Sequence, residues 1–302
     1  MNDDDVVAKP LRHPWRWVSG VLLIAALCGI VYSLWSSPSI NHNIIAKYLF
    51  DPKIMQGAVL TVIITVVSML IATILAVILA VMRLSPNPLL KLVSSAFVGF
   101  FRGTPLLLQI VFWGYLGIIY PTLTIGIPFT DVVFVHGQTS MLLPSLAAGI
   151  IALSLNEAAY AAEIVRAGIL SVDGGQKEAA ASLGMSGGYT LRRIILPQAM
   201  RVIIPPMGNE FISMLKSTAL LEVVAVLELY TQATMISAQN LAQVELLVVA
   251  GFWYLVMTTI LSIPQRQLEK KYGRGFNVSG TTGGRMFGFG NRIKMPRGGT
   301  AA

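Results

Sequence analysis

Residues 178–197 read EAAASLGMSGGYTLRRIILP and lie between two long apolar stretches. The pattern predicts two short water-exposed helices joined by a turn. Asp173 can cap the first helix, with Gln176 three residues further on. Glu178, Ala179, Ala180 and Ala181 then continue it as good helix formers. Gly184 falls where that helix must end, because glycine tolerates positive φ. Ser186 can cap a second helix, and Pro197 is expected to limit it. The bare alanine face allows another protein to approach closely.

On both sides of this elbow the chain is membrane-like in composition. It is 55% hydrophobic and 12% charged, with a mean hydropathy of +0.70, values that soluble domains rarely reach. A span needs about 20 apolar residues to cross roughly 30 Å of hydrocarbon. Windows of that kind fall near 17–35, 57–82, 97–120, 141–165, 199–221 and 246–264. Backbone polar groups in lipid must be satisfied within the segment, so each window is expected to be a helix. The fold class is therefore all-α integral membrane, with six transmembrane helices.

The net charge of +8 raises the question of nucleic acid. Its distribution argues against it. With the N-terminus inside, the outer loops are 36–56, 121–140 and 222–245, and their only Lys or Arg residues are Lys47 and Lys53. Apart from Lys216 and Arg102, within or beside spans, the remaining bases fall on the inner side, as the positive-inside rule requires. Both termini are then cytoplasmic. Outside the C-terminal tail no basic cluster of the kind that binds DNA occurs.

The single Cys28 lies in the first window and reads as a buried apolar thiol. That window follows Arg12 and Arg16, but its apolar run is too long for a cleaved signal peptide, and Trp35 and Ser36 make a poor cleavage site. It is expected to remain as an anchor. Residues 1–16 form a short polar cytoplasmic tail. Residues 272–302 are basic and glycine-rich, cannot bury a core, and are expected to be disordered. Phosphate-loop, HExxH and CxxC motifs are absent, and His13, His42 and His136 are not at ligand spacing. No catalytic residue and no metal ligand is assigned. A chain with no phosphate loop needs a separate subunit if ATP drives it.

The elbow resembles the EAA loop of the permeases of ATP-binding-cassette (ABC) importers. That pattern is Glu-Ala-Ala, three residues, Gly, nine residues, Ile, one residue, Leu-Pro. It is met by Glu178, Ala179, Ala180, Gly184, Ile194, Leu196 and Pro197. Three further stretches resemble the polar amino acid branch of that family: FRGTPL at 101–106, NEAAYAAEIVR at 156–166, and GNEFIS at 208–213 followed by Leu215 and Lys216. The resemblance implies a type I core of five helices over 57–264, with a cytoplasmic coupling loop at 166–198 and the helix at 17–35 as an addition. It implies a bacterial inner-membrane importer with no cofactor in this chain. Two ATPase subunits holding ATP and Mg would dock on the seven loop residues. A second permease, identical or homologous, would complete the path, and an extracytoplasmic binding protein would deliver an amino acid.

The path itself has to be read from polar residues in the spans, where charge is costly and usually functional. Asn156, Tyr160 and Glu163 fall on one helical stripe, with Glu157 beside it. Asn209, Ser213 and Lys216 share a stripe in the next span, with Glu210 and Ser217 beside it. Lys216 can face a solute carboxylate, and Glu157, Glu163 or Glu210 an ammonium. Glu163 can equally pair with Arg166, and Arg102 can snorkel to the inner headgroups. Both signs of charge occur, so the cargo's side-chain charge stays open. The alternative reading is an ion-coupled secondary transporter working without an ATPase, which has no need of the elbow. An intramembrane enzyme would need a nucleophile–base pair or a metal cluster in a span, and neither is visible.

Overall fold

A computed structural model describes residues 14–127, 130 and 132–272. The C-terminal tail and most of the N-terminal tail lie outside the described residues. The first helix, α1 (Pro14–Trp35), contains the expected 17–35 window. Its Trp15–Ser33 stretch is not buried against any described residue, Trp35 at its end stacks on His42 with ring centroids 4.6 Å apart, and Cys28 is exposed on it rather than buried. A short α2 (His42–Tyr48) leads into α3 (Pro52–Leu84). Asp51 caps α3 by accepting from Lys53 N at 2.8 Å, and Pro52 supplies a preset φ at its start. With 33 residues, α3 is about 50 Å long and extends beyond the hydrocarbon layer.

One stripe of α3, including Ile54, Ala58, Thr61, Ala72, Ala76 and Ala80, is buried. The opposite stripe, with Val59, Ile63, Val66, Leu70, Val77 and Val81, is exposed. An uninterrupted apolar surface of that length is what lipid solvates. Beside α3 runs α8 (Ser145–Leu170). The two are parallel, since Ile64 packs with Leu153, Ala72 and Ala76 with Ala158 and Ala162, and Ala80 with Val165. Ala158, Ala159 and Ala161 are fully buried, so the helices approach through small side chains, which is how packing is maximised in lipid.

The window at 97–120 is not one continuous helix. It divides into α4 (Pro88–Gly103) and α5 (Leu106–Gly114), bent by 100°. The helix breaks at Pro105, which lacks an N–H and disfavours helical backbone in Thr104, whose φ of −112° and ψ of 142° are extended. A short α6 (Leu116–Ile119) follows, then an antiparallel hairpin of β1 (Thr122–Gly126) and β2 (Val133–Gln138), and α7 (Thr139–Leu142). The hairpin departs from a purely helical fold. Four described helices are long and apolar enough to cross a membrane, or up to five if the bent pair counts as one span. The fold is thus mostly helical and membrane-spanning.

After α8 the elbow forms α9 (Gly174–Ser182) and α10 (Gly187–Thr190). A wide π-type turn at Leu191–Ile195 then runs directly into α11 (Leu196–Ser217). Pro197 therefore begins α11 instead of limiting the second elbow helix. The π turn lets Leu196 N–H bond Leu191 O, so the proline falls in a first turn, where it is tolerated. Ser186 stands at the cap position of α10 but makes no side-chain cap bond. The window at 199–221 maps to α11 and a tightened 3₁₀ turn at Thr218–Val224. Gln198, Arg201, Asn209, Glu210 and Lys216 keep α11 off the set of strongly apolar spans.

The last described elements are α12 (Leu229–Asn240) and α13 (Gln243–Tyr272). The segment 222–245, expected as an outer loop and carrying Glu222, Glu228 and Glu245, is largely built into the bundle. Glu228 is fully buried. Its carboxylate accepts from Thr231 N at 2.7 Å, Thr231 Oγ1 at 3.0 Å, Thr61 Oγ1 at 3.3 Å and Tyr254 OH at 2.7 Å. Glu245 is buried as well and accepts from Asn41 N at 2.9 Å. Trp253 Nε1 donates to Leu49 O at 2.7 Å. Among the three acidic residues only Glu222 is exposed.

Candidate functional site

At the elbow, Asp173 caps α9 by accepting from Gly175 N at 2.8 Å. The helix ends in a Schellman turn. Met185 N bonds Ala180 O at 3.0 Å and Gly184 N bonds Ala181 O at 2.9 Å. Gly184 has φ of +73°, the left-handed region that its lack of a Cβ permits. Glu178, Ala179, Gly184, Leu196 and Pro197 are exposed, Ile194 is partly buried, and Ala180 is buried. Leu183 is 80% exposed, an unusual position for leucine on a water-facing turn. Residues 184–188 (GMSGG) also match the spacing of a nucleophile elbow. They join two helices, whereas that elbow needs a strand before the serine.

A polar cavity of about 250 Å³ lies between α5, α8 and α11. From the expected path residues the structure gathers Asn156, Glu157, Tyr160, Glu210 and Ser213 around it, together with Ser217 and Leu106. Glu157 is only 7% exposed, and its Oε1 has no hydrogen-bond partner. A buried carboxylate oxygen left unpaired is costly. Among the described residues no Lys, Arg or His lines the cavity.

Three expected path residues lie elsewhere. Asn209 and Lys216 are on the exposed side of α11. The lining stripe of α11 is Glu210, Ser213, Met214 and Ser217, one residue round from the expected one. Glu163 lies beyond the cavity and bridges Arg83 at 3.0 Å and Arg166 at 2.8 Å. Arg102 is near the end of α4. It lies fourteen residues, or about 20 Å, along α4 from Pro88, with its guanidinium 5.1 Å from the centre of the Tyr160 ring. Gln109 on α5 is buried and bonds both Thr104 and Asn156.

The Glu163 ion pairs are part-exposed, so their worth is about 1 kcal/mol or less. Glu163→Gln is expected to lower the melting temperature of the purified complex slightly and to leave the uptake KM within about twofold of wild type, a shift worth less than 0.5 kcal/mol. A large KM change in an uptake assay would return Glu163 to the path.

An apolar helical bundle with a polar cavity inside it, and a capped helical elbow exposed at one end, is the build of a membrane translocation subunit that another protein moves. This chain belongs to the family of binding-protein-dependent transport system inner membrane components, whose profile matches residues 72–274. It is 44% identical to the arginine transport system permease protein ArgU of Corynebacterium glutamicum, over 89% of this chain and 84% of that one. It is 40% identical to the L-cystine transport system permease protein TcyB of Bacillus subtilis, over 64% and 74% of the two chains. A crystal structure of an amino acid ABC transporter with histidines aligns with a TM-score of 0.63 and 32% identity, covering 76% of this chain and 98% of that one. The protein is thus a multi-pass inner-membrane permease subunit of an ABC importer. It is not itself the enzyme, since ATP hydrolysis lies in separate chains, and its partners are ATPase subunits and a second permease subunit. The alternative of a self-sufficient ion-coupled carrier is not favoured.

Proposed function

We propose that this subunit imports an amino acid with a cationic side chain, received by Glu157 and Glu210. One observation carries this reading: a buried, unpaired carboxylate oxygen in a cavity that holds a second carboxylate and no base. A guanidinium or ammonium side chain both pairs with that oxygen and compensates the two carboxylates, whereas a neutral side chain, even an amide that donates to the oxygen, leaves the charge uncompensated, and an acidic one is repelled. Asn156, Tyr160 and Ser213 complete the wall. The likeness to an arginine permease supports the same cargo.

The remaining arrangement follows from this reading. Glu178, Ala179, Ala180, Gly184, Ile194, Leu196 and Pro197 form the ATPase-docking surface, with ATP and Mg held by two copies of the partner. The elbow face is cytoplasmic, so α1 starts inside and the C-terminal tail is also inside. Counting α1, the bent pair and α11, the chain makes six passes: one added N-terminal helix and a five-helix core over 57–264. An extracytoplasmic binding protein delivers the solute to the opposite face. The sparse Lys and Arg there support that orientation.

The test is direct binding to the purified permease–ATPase complex without receptor, using arginine and glutamine as probes. Arginine is expected to bind at least about tenfold more tightly than glutamine, a difference of roughly 1.4 kcal/mol. Glu157→Gln is expected to erase that preference. Equal affinity for the two probes, or an unaltered preference in the variant, rules the cation site out.

A further inference from the structure

The break between α4 and α5 leaves a problem that lipid does not forgive. In a continuous helix Phe101 O would accept the N–H of residue 105, but that residue is Pro105. An unpaired carbonyl at membrane depth is strongly disfavoured. Two side-chain amides fill the gap. Gln109 Nε2 lies 2.9 Å from Phe101 O, and Asn156 Nδ2 lies 3.0 Å from the same atom. Gln109 Nε2 also reaches Thr104 O at 3.1 Å and Thr104 Oγ1 at 2.8 Å. Asn156 Nδ2 makes its second bond to Gln109 Oε1 at 3.2 Å. Both residues are buried, at 5% and 9% exposure, and the two N–H groups of Asn156 are both engaged.

We infer that Gln109 and Asn156 are positioning residues, an interlocked amide pair that replaces the main-chain donor missing at Pro105 and holds the 100° bend. The bend places Leu106 in the cavity wall. Asn156 thereby shapes the cavity from α8, across the bundle from the break, instead of donating to the solute. The uptake arm of the test below rests on the cavity being the solute path. The distance arm involves no solute and stands apart from that reading.

The distance arm uses spin labels at Leu92→Cys and Leu108→Cys, both exposed positions, in a Cys28→Ser background and in the complex with its ATPase. Pro105→Ala alone is expected to keep the short separation, because the amides still hold the bend. Pro105→Ala combined with Gln109→Met or Asn156→Leu is expected to lengthen it toward the roughly 24 Å of a continuous helix. Straightening by Pro105→Ala alone, or a bend retained in both double variants, overturns the inference. In the uptake arm, Gln109→Met, Asn156→Leu and Asn156→Asp are each expected to raise KM roughly threefold to tenfold. A lower KM in Asn156→Asp would mark that residue as a contact for the solute cation and also overturn it.

Discussion

Gly184→Val is expected to abolish ATP-driven uptake while the subunit still inserts in the membrane in normal amount. The residue ends α9 at φ of +73°, and a β-branched side chain is a genuine outlier there. Holding it costs on the order of 1–3 kcal/mol, comparable to the two Schellman bonds that fix the turn. The turn would re-form differently and carry Leu183 and Met185 with it. Space is not the issue, since a Cβ at this position meets nothing within 4 Å in this chain. That permits a graded test. Asn tolerates left-handed backbone, so Gly184→Asn is expected to retain most uptake, Gly184→Ala part of it, and Gly184→Val none. If Asn fails as badly as Val, bulk against the ATPase and not backbone strain sets the requirement. Glu178→Arg, on the exposed face of the same helix, leaves the turn intact and is expected to release the ATPase during purification. Wild-type uptake by both Gly184→Val and Glu178→Arg would remove the elbow from the docking surface.

The elbow was readable because its signals are local. Asp173, the alanine run and Gly184 act through neighbours within a turn or two, and each does what its chemistry dictates. The apolar windows at 57–82, 141–165 and 246–264 were readable for the same reason, as runs of one solvent preference. The third window was misread as one helix because hydropathy averages across Thr104–Pro105, although the pre-proline signal was present. The cavity was legible to within one residue of rotation. Spacing placed Asn156 and Tyr160 on one stripe, yet it could not decide between 209, 213, 216 and 210, 213, 217 on α11. One residue is a turn of about 100°, and which face meets α8 is set by packing with partners far along the chain. The same rotation sets the charge of the cavity wall: with Lys216 on the exposed side of α11, Glu157 and Glu210 are the ionisable acids among its described lining residues. Glu228 and Glu245 fall in the expected outer loop 222–245, and their burial is not legible locally because their partners Thr61 and Asn41 are 167 and 204 residues away.

Glu228→Leu is expected to be the most destabilising single change in the half of the bundle opposite the elbow. The carboxylate is fully buried and joins three helices: it caps α12 through Thr231 N, holds α3 through Thr61, and holds α13 through Tyr254. Bonds to a charged acceptor are worth about 1.5–3 kcal/mol each, and removing the acceptor also strands the buried donors it served. Only part of this is lost, because hydroxyls can turn to other acceptors, so a net loss of roughly 3–5 kcal/mol is expected. The thermal melting point of the detergent-purified complex reads it out. Tyr254→Phe removes one bond and is expected to cost about 1–2 kcal/mol, and Thr61→Val costs more, because Thr61 Oγ1 also accepts from Leu229 N at 3.2 Å. The decisive comparison is the double variant. Once Glu228 is Leu, Tyr254→Phe should cost almost nothing further, because its hydroxyl has lost the group it donated to. Additive losses would mean that Tyr254 and Glu228 act independently and that the three helices are held by apolar packing around Leu229, Leu246 and Val249 alone.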